Sequence, residues 1–131
     1  MGAWDNGNFG NDDAMDFVNN VTSKEVISEA ILKIAKAHED DHIESPECCE
    51  ALAAIEYVAA ALGNSAGDFP EEAEEWVLQH KSELSEAGVI SYAKDAIDKI
   101  KTNSELKDLW EETGELEDWL AVIEGLKKRI S

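Results

Sequence analysis

From Ala14 onward, apolar residues recur at intervals of three and four, the spacing that lines one face of an α-helix. Asn11, Asp12 and Asp13 offer N-caps and favourable negative charge to a short helix carrying Ala14, Phe17, Val18 and Val21. Ser23 caps a second stripe of Ile27, Ala30, Ile31, Ile34, Ala35 and His38. Ser45-Pro46 puts proline at a first helical position and launches Cys48, Ala51, Leu52, Ile55, Ala59 and Leu62 on one face, with Gly63 as the stop. After a loop from Asn64 to Phe69, Pro70 starts a helix whose four early glutamates suit the positive end of its dipole and whose apolar side is Ala73, Trp76 and Val77. A break near Gly88 precedes Val89, Ile90, Ala93, Ala96, Ile97 and Ile100. Ser104 caps a short helix with Leu106, Leu109 and Trp110, closed by Thr113-Gly114. The last stripe is Leu116, Trp119, Leu120, Ile123, Leu126 and Ile130, with Lys127, Lys128 and Arg129 at the negative end of the dipole. No segment alternates with period two. The pattern predicts an all-α fold, a compact single-domain bundle of six or seven helices spanning residues 1–131 behind a Gly/Asn-rich N-terminal loop.

Charge changes the picture of what such a bundle meets. Thirty acidic residues face eleven basic ones, a formal net charge of −19. Nucleic acid is excluded as a partner because phosphate binding runs on clustered Lys and Arg, and an anionic membrane surface is excluded on the same ground. A basic protein partner is attracted from a distance. The structural reading of the same charge is a solvated surface.

The two cysteines are adjacent, Cys48 and Cys49, with Cα atoms about 3.8 Å apart across a trans peptide, too close for an unstrained bridge. Reduced thiols and a cytoplasmic location are expected. No secretory signal and no stretch of roughly 20 apolar residues is present.

His38-Glu39-Asp40-Asp41-His42 matches H-E-x-x-H, in which two histidines a helical turn apart hold zinc and the glutamate activates a water. Continued from Ile34, the helical stripe brings His38 and His42 to one side. Yet no H-x-x-G-x-x-H extension follows, no third ligand is singled out, and no edge strand is offered to a peptide substrate. The plainer reading is two histidines near a helix C-terminus, where the dipole favours imidazolium. Cys48 falls on the apolar face of its helix and reads as core, and His80 reads as packing beside Ala73 and Val77. From Asp5 the calcium-loop pattern fails at Gly7 and Phe9.

The opening GAWDNGNFGNDDAMDF closely resembles the start of a bacterial family, domain of unknown function 4259, through Gly2, Trp4, Gly7, Phe9, Asn11, Asp12, Ala14, Asp16 and Phe17. Asp5 stands where that family usually has glycine. ALAAIEYVAAALGN, FPEEAEEWV and the C-terminal SELKDLWEETGELEDWLAVIEGLKKRI are similar to its later helices. The resemblance implies an all-helical fold with no established activity and no assigned catalytic residues, and some members look like immunity or accessory proteins found beside bacterial toxins. Physically, Trp4 and Phe9 suit anchoring on the core while Asn11 and Asp12 cap the following helix. Alternatively Trp4, Phe9, Asn11, Asp12 and Asp16 form a binding site.

These observations favour a non-catalytic interaction module without a cofactor, of immunity type, that neutralises a basic partner. The alternatives are a zinc hydrolase built on His38, Glu39 and His42, and a ligand-binding or structural helical module.

Overall fold

The computed structural model describes residues 12–37, 42–67 and 69–131. Eight helices occur among them: α1 (Asp12–Asn20), α2 (Lys24–Ala35), α3 (Ser45–Ala61), α4 (Glu71–Gln79), α5 (Lys81–Leu84), α6 (Ala87–Thr102), α7 (Glu105–Thr113) and α8 (Leu116–Arg129). The all-α reading holds, and the described residues contain no strand, only an isolated bridge between Ile43 and Ser104. The N-terminal loop falls on residues 1–11, outside the described residues. The count exceeds seven because the helix behind Pro70 stops at His80 and resumes as the single turn α5.

The proline and glycine punctuation acts where the sequence puts it. Pro46 sits in the first turn of α3 and Pro70 immediately precedes α4. Gly63 has φ 86° and Gly114 φ 79°, left-handed values that favour glycine at the end of a helix. At the end of α3 the amides of Gly63 and Asn64 donate to the carbonyls of Ala60 and Ala59, at 3.0 and 2.9 Å, closing a Schellman motif. Ser104 caps α7 with its side chain, accepting from the Lys107 amide at 3.1 Å. Ser23 takes the same position before α2 but makes no capping bond with its side chain.

α3 is the axis of the fold and packs against all seven other helices. One apolar face was expected of it, but nearly the whole circumference is buried, including Cys49, Ala53, Ala54, Tyr57, Val58 and Ala61. Its alanines explain this: a small side chain lets neighbouring backbones approach from any direction, so α3 needs no polar face. α1, α2 and α6 enclose it on one side, and α6 also contacts α7 and α8. Ile27, Ile31 and Ile34 of α2, Ile97 and Ile100 of α6 and Trp119, Ile123 and Leu126 of α8 complete the core. Each fully buried aliphatic of this kind contributes about 1.5–3 kcal/mol of transfer free energy.

One charge enters that core. Glu56 is 1 % exposed, and its carboxylate accepts two hydrogen bonds from Arg129 at the end of α8, 2.6 and 2.8 Å long. Arg129 also donates to the carbonyl of Asn64, whose side-chain amide donates back to the Arg129 carbonyl at 3.0 Å. The forked guanidinium therefore ties the last turn of α8 to the C-terminal end of α3.

Candidate functional site

α2 ends at Ala35, and Lys99 of α6 explains why: its ammonium donates to the carbonyls of Ala35 and Ala37, both at 2.6 Å. The expectation that His42 continues the α2 stripe is therefore corrected. His42 stands outside any helix, exposed, with Nδ1 3.3 Å from Oδ1 of Asn103 and Nε2 3.2 Å from a carboxylate oxygen of Asp108. Its neighbours extend this contact. The Glu105 amide donates to the Ile43 carbonyl at 2.8 Å, and the Glu105 side chain accepts from the Ser45 amide at 2.8 Å. Buried Ser104 donates its hydroxyl to the Ile100 carbonyl at 2.7 Å. Residues 42–45 are thus clasped to the start of α7, with both His42 nitrogens turned to acceptors of the protein itself. Residues 38–41, with His38 and Glu39, lie outside the described residues, and among those described no group of three His, Cys, Asp or Glu side chains is placed to hold a metal.

The N-terminal candidates divide in the same way. Trp4, Phe9 and Asn11 lie outside the described residues, as does the side chain of Asp12, whose backbone opens α1. Asp16 is described. It is exposed on α1, and its carbonyl accepts from the Asn20 side chain at 2.7 Å. Phe17 beside it turns inward, with its ring edge-on to Tyr57 at 6.4 Å.

Asp16 opens onto a groove of about 440 Å³ between α1, α2 and α3. Phe17, Val26 and Ala30 supply apolar wall, while the carboxylates of Asp13, Asp16, Glu29 and Glu50 face the cleft against a single cation, Lys33. Lys33 in turn lies 3.4 Å from Glu47. The charges of two groove residues reach a thiol buried in α3. Cys49, 3 % exposed, has its thiol pushed up to about 12 by burial first and then by the charges of Asp13 and Glu50. Cys48 is also pushed up to about 12, chiefly by burial, so both thiols stay protonated and unreactive at neutral pH. The sequence reading of Cys48 as core holds, and Cys49 joins it.

Four other cations are paired elsewhere. Lys101 pairs with Glu124, Lys107 with Glu111 at 3.5 Å, Lys127 with Asp98 at 2.8 Å and Arg129 with Glu56. The bond from Lys101 holds the Glu124 carboxyl below its ordinary range, and the bond to Asp98 raises Lys127. Within the described groove lining, Lys33 is the one cation.

A family model described as Domain of unknown function (DUF4259) matches residues 2–122. The chain belongs to that family. The DUF4259 match takes in α1 to α7 and the first half of α8, hence every wall of the groove. No curated protein and no solved structure matches. No described helix is long and apolar enough to cross a membrane.

Of the groove, sequence reasoning singled out Asp16 as a site residue and Asp13 only as a cap. Glu29, Lys33 and Glu50 were missed, because nothing in the sequence sets them apart from the other polar residues of α2 and the first turns of α3. Glu56 was missed as well, though a lone carboxylate inside ALAAIEYVAAAL is a visible signal that a cation must come from elsewhere.

Proposed function

We propose that this DUF4259 protein is a non-catalytic interaction module that receives a basic protein partner in the α1–α2 groove, in the manner of an immunity protein neutralising a toxin. The observation that carries the reading is the convergence of Asp13, Asp16, Glu29 and Glu50 on one concave, partly apolar cleft. Convergent charge in a concavity reaches a protruding Lys or Arg from several sides. The chain's net charge of −19 extends the attraction beyond contact distance and speeds encounter.

The test uses a Lys/Arg-rich peptide and amide chemical-shift mapping at low and at physiological salt. Shifts are expected to cluster on α1, the outer face of α2 and the first half of α3, with affinity falling steeply as salt rises. A variant carrying Asp13→Asn, Asp16→Asn, Glu29→Gln and Glu50→Gln should lose most of that affinity while remaining folded. Shifts spread evenly over α4, α7 and α8, or an affinity indifferent to salt, would overturn the groove as the docking site.

A further inference from the structure

On the other side of α1 a second, smaller pocket of about 160 Å³ opens between the end of α1, α3 and α4. Tyr57 lines it from α3, Glu72 and Trp76 from α4, and Val18, Asn19 and Val21 from the end of α1. None of its residues lines the acidic groove.

Tyr57 is the unusual member. It is 1 % exposed, and its ring is fixed by three edge-on aromatic contacts, to Phe17 at 6.4 Å, Phe69 at 5.3 Å and Trp76 at 5.8 Å. Trp76 is itself held, stacked on His80 at 4.1 Å, while His80 Nδ1 donates to the Trp76 carbonyl at 2.8 Å. Buried tyrosine hydroxyls ordinarily find a hydrogen-bond partner. This one has none among the described residues, although it sits close enough to Glu72 for that carboxylate to resist its ionisation; burial and then Glu72 push the phenol up to about 12. Tyr57 and Glu72 both line the pocket, so the phenol and the carboxylate bear on the same space.

The residues around that oxygen specify what would satisfy it. Glu72 supplies a charge at the rim, Asn19 a second polar group, and no Lys or Arg lines the pocket. Val18, Val21 and Trp76 supply apolar wall. The volume holds about five waters, or a slim chain of similar size. An ammonium has three donors and no acceptor, which suits a carboxylate, a phenol oxygen and an amide oxygen; a carboxylate ligand could accept from Tyr57 and Asn19 but would carry the same charge as Glu72, with no cation in the lining to offset it.

We propose that this pocket binds an alkylammonium group, its charge between Glu72 and the Tyr57 hydroxyl and its alkyl chain along Val18, Val21 and Trp76. The group belongs either to a free small amine or to a lysine side chain presented by a protein.

The experiment is an amide and indole chemical-shift titration of the intact chain with n-butylammonium chloride, beside n-butanol and sodium chloride at matched ionic strength. Saturable shifts are expected at the Trp76 indole and the end of α1 for n-butylammonium alone. Tyr57→Phe, which keeps the ring and its contacts, and Glu72→Gln, a surface change, should each weaken binding roughly tenfold, as loss of one hydrogen bond to a charged group does. Equal binding of n-butanol, unchanged affinity in either variant, or shifts only along the acidic groove would overturn the proposal. Nα-acetyl-lysinamide separates the sources: binding as tight as that of n-butylammonium assigns the site to a presented lysine, and exclusion assigns it to a free amine. Because the pocket and the groove share no residue, the groove variant leaves this titration unchanged, and each site fails or stands by itself.

Discussion

Glu56 and Asp16 carry the same functional group and serve opposite ends. Glu56 is 1 % exposed, gripped by both nitrogens of the Arg129 fork, and joins α3 to α8. Asp16 is exposed and faces a groove with three other carboxylates, where Lys33 is the one cation among the described lining residues. A net charge of −19 conceals this division. Arg129 goes to the buried carboxylate and Lys99 to the carbonyls at the end of α2, while the carboxylates of the groove lining share a single lysine. Such surplus contributes nothing to stability, which leaves it free for recognition.

The sharpest way to break the comparison is to perturb each carboxylate in turn. Arg129→Met leaves the buried Glu56 without its bidentate cation and should cost about 3 kcal/mol, read as the urea midpoint at constant m. The double variant Glu56→Gln, Arg129→Met should recover part of that loss, since no charge is then stranded. Asp16→Asn should change stability by less than about 0.5 kcal/mol. Similar costs at the two positions would mean that burial does not sort these carboxylates by role.

The next effect concerns protons that the core refuses to release. Cys48 and Cys49 have folded values pushed up to about 12, above those of an exposed thiol near 9. Above pH 9 the unfolded chain loses these protons while the folded chain keeps them, so stability is full below that pH and falls as pH climbs toward 12. At pH 10 the loss should be about 1 kcal/mol for each thiol. Cys48→Ala, Cys49→Ala should flatten the fall between pH 8 and pH 10, measured as urea midpoints relative to each protein's own midpoint at pH 8. The same groups give the groove a second readout. Asp13 and Glu50 help to hold Cys49 up, so Asp13→Asn should bring its alkylation onset to lower pH while leaving that of Cys48 unmoved.

The sequence showed these contrasts unevenly, for physical reasons. Helix starts and stops were legible because they are local: Pro46, Pro70, Ser104, Gly63 and Gly114 each act on neighbours within four residues. The burial of α3 on all sides was not, because alanine's high helix propensity suits it to exposed faces of a helix as well as to buried ones, so periodicity could not tell them apart. Glu56 finds Arg129 73 residues away, and His42 finds Asn103 61 residues away, distances at which periodicity carries no information. The H-E-x-x-H letters assume one continuous helix, whereas α2 ends at Ala35, where Lys99 from α6 binds the carbonyl, and His42 stands outside any helix. The groove was half legible, because the signature marked Asp16 while its companions come from two other helices.

The two serine caps give a smaller contrast with the same logic. Ser104 is fully buried, accepts from the Lys107 amide and donates to the Ile100 carbonyl, whereas Ser23 makes no capping bond with its side chain. Ser104→Ala should cost about 1–2 kcal/mol and Ser23→Ala only a few tenths. Amide exchange should show where the Ser104 cost falls. Protection should drop at Glu105, whose amide bonds to Ile43, and so loosen the clasp that holds His42. Equal costs at the two serines would mean that the clasp adds nothing to the cap.

The smallest effect bears most directly on function. If the groove carboxylates are surplus to folding, their mutual repulsion is a standing cost that salt or neutralisation relieves. Asp16→Asn and Glu29→Gln should each raise stability by about 0.2–0.5 kcal/mol at low ionic strength, and added salt should erase the gain, since exposed charges beyond about 10 Å are screened at 0.1 M. Glu47→Gln removes the groove-side partner of Lys33 and should do the reverse, lowering stability slightly at low salt and freeing Lys33 to offset Asp16 and Glu29. Binding of the basic peptide should then weaken in all three variants, although stability moves up in two and down in one. That opposition separates recognition from folding: a surface kept for stability would lose both together, whereas one kept for a partner loses affinity whichever way stability goes.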